Sequence, residues 1–154
     1  VAKMKKLKSL SIDCRNSMSS GDEIDDAAIK RIAELASLES LELYGTAASD
    51  KGLAALAELP SLTRLDMRDN KVTWWEALPL VRRFPKLRAL SFDGIYMELN
   101  DNGELIEVYV DIDTPRFGDA DLEHLKNETQ LKWLYLGQTQ VTDASLVIGR
   151  TFRR

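Results

Sequence analysis

Leu62-Thr-Arg-Leu65-Asp-Met67-Arg-Asp-Asn70-Lys-Val72-Thr73 decides the reading of this 154-residue chain. Leu65 and Met67 alternate with Arg64, Asp66 and Arg68, the period of a strand buried on one face. Upstream, Leu53, Leu56 and Leu59 recur every third residue and lead into Leu62, which is one apolar stripe on a helix. The unit is therefore a helix followed by a short strand. The same Leu-x-x-Leu-x-apolar pattern stands at Leu7/Leu10/Ile12, Leu38/Leu41/Leu43, Leu87/Leu90/Phe92 and Leu131/Leu134/Leu136, and the five starts lie 31, 24, 25 and 44 residues apart. Repetition near 24 residues with two longer steps predicts a solenoid carrying two inserts.

The helical stripe returns as Ile29/Ile32/Leu35, Leu78/Val81/Phe84 and Leu122/Leu125. Three residues before each stripe sits an aspartate, Asp26, Asp50 or Asp119, with Asp143 ahead of Leu146 in a final partial unit. These aspartates are expected to cap or complement helix N-termini. Trp75 breaks the series. The strings around Leu62 and Leu131 resemble the leucine-rich-repeat family, in particular its ribonuclease-inhibitor-like and cysteine-containing types, with short bacterial-style repeats. That resemblance implies an α/β solenoid over residues 1–154: a right-handed βα superhelix of about five repeats, with a concave parallel sheet and outer helices. It implies that an Asn or Thr after each strand ties neighbouring turns together. Asn70, Thr46 and Thr139 fit that position, and Arg15 and Ile95 depart from it. Most members of the family bind proteins or peptides, so the implied function is by analogy a binding one.

Composition narrows the chemistry. The chain has 21 basic and 25 acidic residues and a formal charge of -4, which offers no footprint for nucleic acid or an anionic membrane. No stretch approaches the roughly 20 apolar residues of a membrane span. One cysteine, Cys14, allows no internal disulfide, and with the lack of an apolar leader it favours the cytoplasm while leaving the compartment open. A start at Val1, close to the first repeat, fits a piece of a longer protein. His124, the sole histidine, falls on the solvent side of its helix, so nucleophile–base pairs and zinc sites lack parts. Asp111 and Asp113 read as hairpin-exit residues, and Asp119 and Asp121 as helix-start residues. A calcium loop from Glu98 fails because Tyr109 stands at its twelfth position. The expectation is a non-enzymatic chain with no cofactor and no metal.

Both inserts fall between strand and helix, at residues 15–22 and 95–111, and so predict an elaborated rim along one edge of the stack. The first is polar and reads as a mobile loop. The second contains Ile95-Tyr-Met-Glu-Leu99 and Glu104-Leu-Ile-Glu-Val-Tyr-Val110 around Asn100-Asp-Asn-Gly103, which predicts a β-hairpin. A two-residue turn at Asn102-Gly103 would set Glu98 opposite Glu107, an unfavourable like-charge pair, and leaves three- and four-residue turns open. The hairpin reads either as cover for the core or as a finger for a partner.

Alternation also predicts the concave positions: Ser9/Ser11/Asp13, Ser40/Glu42/Tyr44, Arg64/Asp66/Arg68, Ala89/Ser91/Asp93 and Trp133/Tyr135/Gly137. Candidate partner-binding residues there are Tyr44, Arg64, Arg68, Asp93, Trp133 and Tyr135, the Tyr/Trp/Arg chemistry that dominates hot spots. The hairpin adds Tyr96 and Tyr109. Trp74 and Trp75, set against Ser49-Asp50 of the neighbouring repeat, read either as exposed interface anchors or as packing beneath the hairpin. The expected function is a protein- or peptide-binding module using the concave face and the rim. The alternative is a structural or assembly segment of a larger repeat protein. An uncovered edge strand predicts weak homodimerisation, and Gly149 with Phe152 a makeshift cap.

Overall fold

A computed structural model describes residues 4–15, 24–111 and 117–143. Its elements run β1 (Ser9–Asp13), α1 (Asp26–Ile32), β2 (Ser40–Tyr44), α2 (Asp50–Leu56), β3 (Arg64–Arg68), α3 (Trp74–Val81), β4 (Ala89–Phe92), β5 (Ile95–Leu99), β6 (Leu105–Val110), α4 (Asp119–Leu125) and β7 (Trp133–Leu136). One sheet holds all seven strands in chain order. In the regular part each repeat adds one parallel strand without slip: Leu10, Leu41, Leu65 and Leu90 are aligned, as are Ser9, Ser40, Arg64 and Ala89. A slip by one residue would turn the strand leucines out to water, so burial of one face fixes the register. Leu41, Leu43, Leu65, Met67, Leu90 and Phe92 thereby form one core with Ile29, Leu53, Leu56, Ala77 and Val81 of the helices. Most of the rim loop at 15–22 and the Gly149/Phe152 cap lie outside the described residues.

Side chains clasp adjacent turns. Asn70 Nδ2 donates to the Leu43 carbonyl at 2.8 Å and to its own repeat's Arg68 carbonyl at 2.9 Å, and Thr46 donates its hydroxyl to Asn70 Oδ1. The helix aspartates act sideways in the same manner. Asp26 accepts the Ser49 amide at 2.9 Å and hydroxyl at 2.6 Å, and Asp119 accepts the Thr142 amide at 2.7 Å and hydroxyl at 2.6 Å. Capping falls to the residue before: Asp25 accepts the Ala28 amide at 2.9 Å and Ser49 the Lys51 amide at 3.2 Å. Of the two roles expected, capping is thus corrected, while complementing the helix N-terminus holds, since Asp26, Asp50 and Asp119 are acidic residues of a first helical turn. As first residues of their helices, Asp26 and Asp119 point at the next repeat, whereas Asp50 accepts the Lys51 amide of its own helix at 2.9 Å.

Gly52 makes room for one such clasp, because a Cβ there would lie 2.6 Å from Asp26 Oδ1. Alanine is the better helix former by about 1 kcal/mol. Displacing Asp26 would break charge-assisted hydrogen bonds worth about 1.5–3 kcal/mol each. The clash wins, and Gly52→Ala is expected to destabilise by about 1–2 kcal/mol in urea unfolding. In an Asp26→Ala background the same change should stabilise; one sign in both backgrounds would refute the clasp. The Ser49 hydroxyl, then its amide, hold the Asp26 carboxyl below the ordinary value of 3.8. A depressed folded-state value gives stability that is present above about pH 4 and lost as pH falls through it.

The second insert lies in the sheet, not on the rim. Asp93 and Gly94 have φ of 40° and 84°, both left-handed as a type I′ turn requires, and Phe92 pairs directly with Ile95. β4 therefore turns back at once into β5, antiparallel, and β5 into β6, antiparallel. β7 then pairs with β6 in parallel. The reason is burial: Ile95, Met97, Leu99, Leu105, Val108 and Val110 all face the core and continue its sheet, while the hairpin occupies backbone groups that β4 would leave open. The β5–β6 loop, residues 100–104, is closed by the Asn100 amide on the Glu104 carbonyl at 2.9 Å, which leaves Asp101, Asn102 and Gly103 at its tip, with Gly103 at φ 74°. A register shift beside Glu98 and Leu99, which leaves Ile106 as the extra residue, still sets Glu98 opposite Glu107.

Candidate functional site

The concave face divides into a closed half and an open half. In the closed half, on β1 to β3, polar groups satisfy one another. Arg68 binds Asp66 through two nitrogens at 3.1 and 2.9 Å; the Tyr44 hydroxyl donates to Asp66 at 3.2 Å and accepts from Arg68 at 2.9 Å. Arg15 pairs with Asp13, and the guanidinium groups of Arg15 and Arg68 sit 4.9 and 4.6 Å from the centre of the Tyr44 ring. Hydrogen bonds from the Arg15 side chain and amide bring the Asp13 carboxyl down to about 2. The Asp66 hydrogen bond pushes the Arg68 guanidinium up, and burial pushes the Tyr44 phenol up. Tyr44, expected as a binding residue, is almost covered by its two arginines. Asp93 is likewise a turn residue rather than a strand position; its Oδ1 accepts the Asp69 amide at 2.6 Å. Arg64 stays exposed.

The open half lies on β5 to β7. Tyr96, Tyr109 and Tyr135 are Cα partners across the three strands, with neighbouring ring centres 6.1 Å apart. Trp133 stands one row away beside Glu107. These four aromatics are 38–47% exposed. Between the halves is a depression of about 340 Å³ whose walls include Arg64, Asp66, Ser91, Tyr96 and Glu98. Sequence reasoning named Tyr96 and Tyr109 but put them on the rim, away from Tyr135, and it did not single out Glu98, Glu107 or Ser91 as site residues. The Asp93-Gly94 turn signal was the clue that would have placed them.

The tryptophan pair belongs to the helix face. α3 begins at Trp74, so Thr73 matches Ser49 and Trp74 matches Asp50, one residue from the alignment expected. Trp74 is only 3% exposed, so of its two readings packing holds: it is a core residue and not the partner-binding anchor. Two strands without helices separate β4 from β7, and this widens the space between α3 and α4. Aromatic rings fill it: Trp74 stacks on Phe117 at 5.8 Å, and Trp75 lies flat on His124 at 5.4 Å. Arg82 bridges the same gap, with two bonds of 2.8 Å to the buried Glu128 carboxylate. His124 is thus a surface residue that packs on tryptophan. Among the described residues no cluster of His, Cys, Asp or Glu is suited to a metal, and no helix is long and apolar enough to cross a membrane.

No protein-family model matches the chain, and no curated protein matches it. Among solved structures it is similar to an internalin (inlF) of Listeria monocytogenes, at 22% identity and TM-score 0.41, over 76% of this chain and 35% of that one. It is similar also to internalin C2 (inlC2) of the same organism, at 21% identity and TM-score 0.49, over 94% of this chain and 57% of that one. The chain thus spans less than two thirds of either. The assignment rests instead on its own repeats: with a recurring Leu-x-x-Leu-x-apolar motif, one aligned strand per repeat and helices on the buried side, the chain has the leucine-rich-repeat fold.

Proposed function

We propose that this chain is a non-catalytic protein- or peptide-binding module whose main contact surface is the open half of the concave face. The exposed ladder of Tyr96, Tyr109 and Tyr135 beside Trp133 carries the reading. Tyrosine and tryptophan bring large contact area with few rotatable bonds, which is why they dominate binding hot spots. The closed half contributes shape, the exposed Arg64 and the half-buried Glu42, because Asp13, Arg15, Asp66 and Arg68 are already paired with one another. A displayed peptide library selected against the whole chain supplies the test. Tyr109→Ala, at the centre of the ladder, should weaken the selected binders at least tenfold, about 1.4 kcal/mol. Arg82→Ala on the helix face should leave them unchanged. Binders indifferent to Tyr109 would overturn the proposal.

A second reading, an assembly segment, is favoured by one observation. Leu10 and Ile12 of β1 and Leu134 and Leu136 of β7 are half-buried, whereas their counterparts in β2 to β4 are covered. Another repeat or a second copy stacked there would complete their burial. Sedimentation of the same samples across concentration reads the second-copy case directly, and a strictly monomeric chain would count against it.

A further inference from the structure

We infer that the open half of the concave face receives a basic side chain, lysine or arginine, from its partner, seated on the Tyr96 and Tyr109 rings with its charge between Glu98 and Glu107. The inference rests on the proposed concave-face reading and gives the chemistry of what is bound.

Glu98 and Glu107 sit directly opposite each other on β5 and β6. Like charges in that relation destabilise a sheet. Among the described residues neither has an ion-pair partner, although cations are near: Arg88 is engaged by Asp101, Lys132 by the Trp133 ring, and Arg64 stands two strands away across Ala89. The fold therefore holds an uncompensated pair of carboxylates on its most exposed aromatic surface.

The rings beside them favour the same guest. A cation over the face of tyrosine or tryptophan is attracted by the ring quadrupole. Lys132 Nζ, 5.9 Å from the centre of the Trp133 ring, already shows an ammonium held this way at the edge of the patch. An acidic segment would meet two carboxylates and no unpaired cation on β5 and β6. Charge complementarity selects a basic one.

A buried hydroxyl gives an independent indication. Ser91, the Cα partner of Tyr96, is 6% exposed, and its Oγ has no hydrogen-bond partner at the wall of the 340 Å³ depression it shares with Tyr96 and Glu98. Buried polar groups are rarely left unpaired. A guanidinium or ammonium brings several N–H donors and no acceptor, which suits a hydroxyl oxygen flanked by carboxylates. The depression is lined from β2 to β5 and adjoins the seat at Tyr96 and Glu98 without reaching Tyr109 or Glu107; its volume, at the low end of ligand sites, roughly 300–1,000 Å³, admits one long side chain rather than a folded segment.

Peptides selected from a random displayed library on the whole chain test this. Binders are expected to be enriched in lysine or arginine and to bind more weakly as salt rises. The double variant Glu98→Gln/Glu107→Gln should weaken them at least tenfold while its thermal midpoint holds or rises, because the like-charge pair is gone. A general loss of structure would lower both. Binders that fail with Tyr109→Ala but are neutral or acidic, or are indifferent to the glutamine pair, would overturn this inference and leave the concave-face reading standing. Binders indifferent to Tyr109→Ala, or no binders at all, would overturn both.

Discussion

Deleting residues 95–110, so that Gly94 joins Asp111, is expected to abolish cooperative unfolding. Closure itself costs little, because the Asp111 amide already donates to the Gly94 carbonyl at 2.8 Å. What is lost is packing. Six side chains of β5 and β6 are buried in the core, from Ile95 to Val110. At about 1.5–3 kcal/mol each they contribute on the order of 10 kcal/mol or more, comparable with a whole domain's stability of about 5–15 kcal/mol. β4 and β7 would also have to pair anew, with Trp74 and Phe117 held between helices now too close. Thermal melting followed by circular dichroism decides it: a sharp transition at near-parent temperature would show that the hairpin is dispensable.

Trp74→Ala should be the most damaging single change, by about 3–5 kcal/mol, because it empties the wedge between α3 and α4 against Phe117 and His124. Trp75→Ala should cost about 1 kcal/mol or less, since that ring is 37% exposed. Trp74→Phe separates ring from polar tip. The Trp74 indole N–H is buried without a hydrogen-bond partner, and removing such a group recovers about 1–3 kcal/mol against the loss of ring area. Phenylalanine is therefore expected within about 1 kcal/mol of the parent in urea unfolding. Equal costs for Trp74→Ala and Trp75→Ala would refute the wedge.

The repeat itself was legible because each link is local. Leu65 and Met67 alternate with charged residues, Leu53 and Leu56 mark a helix, and stacking follows. The hairpin's location was harder to read. Phase from Leu87/Leu90/Phe92 makes Asp93 the third outward strand position, yet Asp-Gly between Phe92 and Ile95 was a stronger short-range hairpin signal than the repeat phase it interrupts. The tyrosine ladder could not be read from spacing, because the β6–β7 register joining Tyr109 to Tyr135 depends on α4 and the core beneath. Trp74 was offset by one residue because α3, Trp74–Val81, has 8 residues where α2 has 7.

Two strands with no helices behind them also change the curvature of the molecule. Strands sit about 4.8 Å apart, whereas packed helices need 8–10 Å, and this mismatch bends a solenoid towards its sheet. Between β4 and β7 the mismatch is reversed: three strand spacings, about 14 Å, face a single helix step from α3 to α4. The arc opens there. Tyr96, Tyr109 and Tyr135, on the last three strands of the described sheet, consequently stand on a flatter stretch at its C-terminal end than the strands before them, so a broad partner can approach them from that open end.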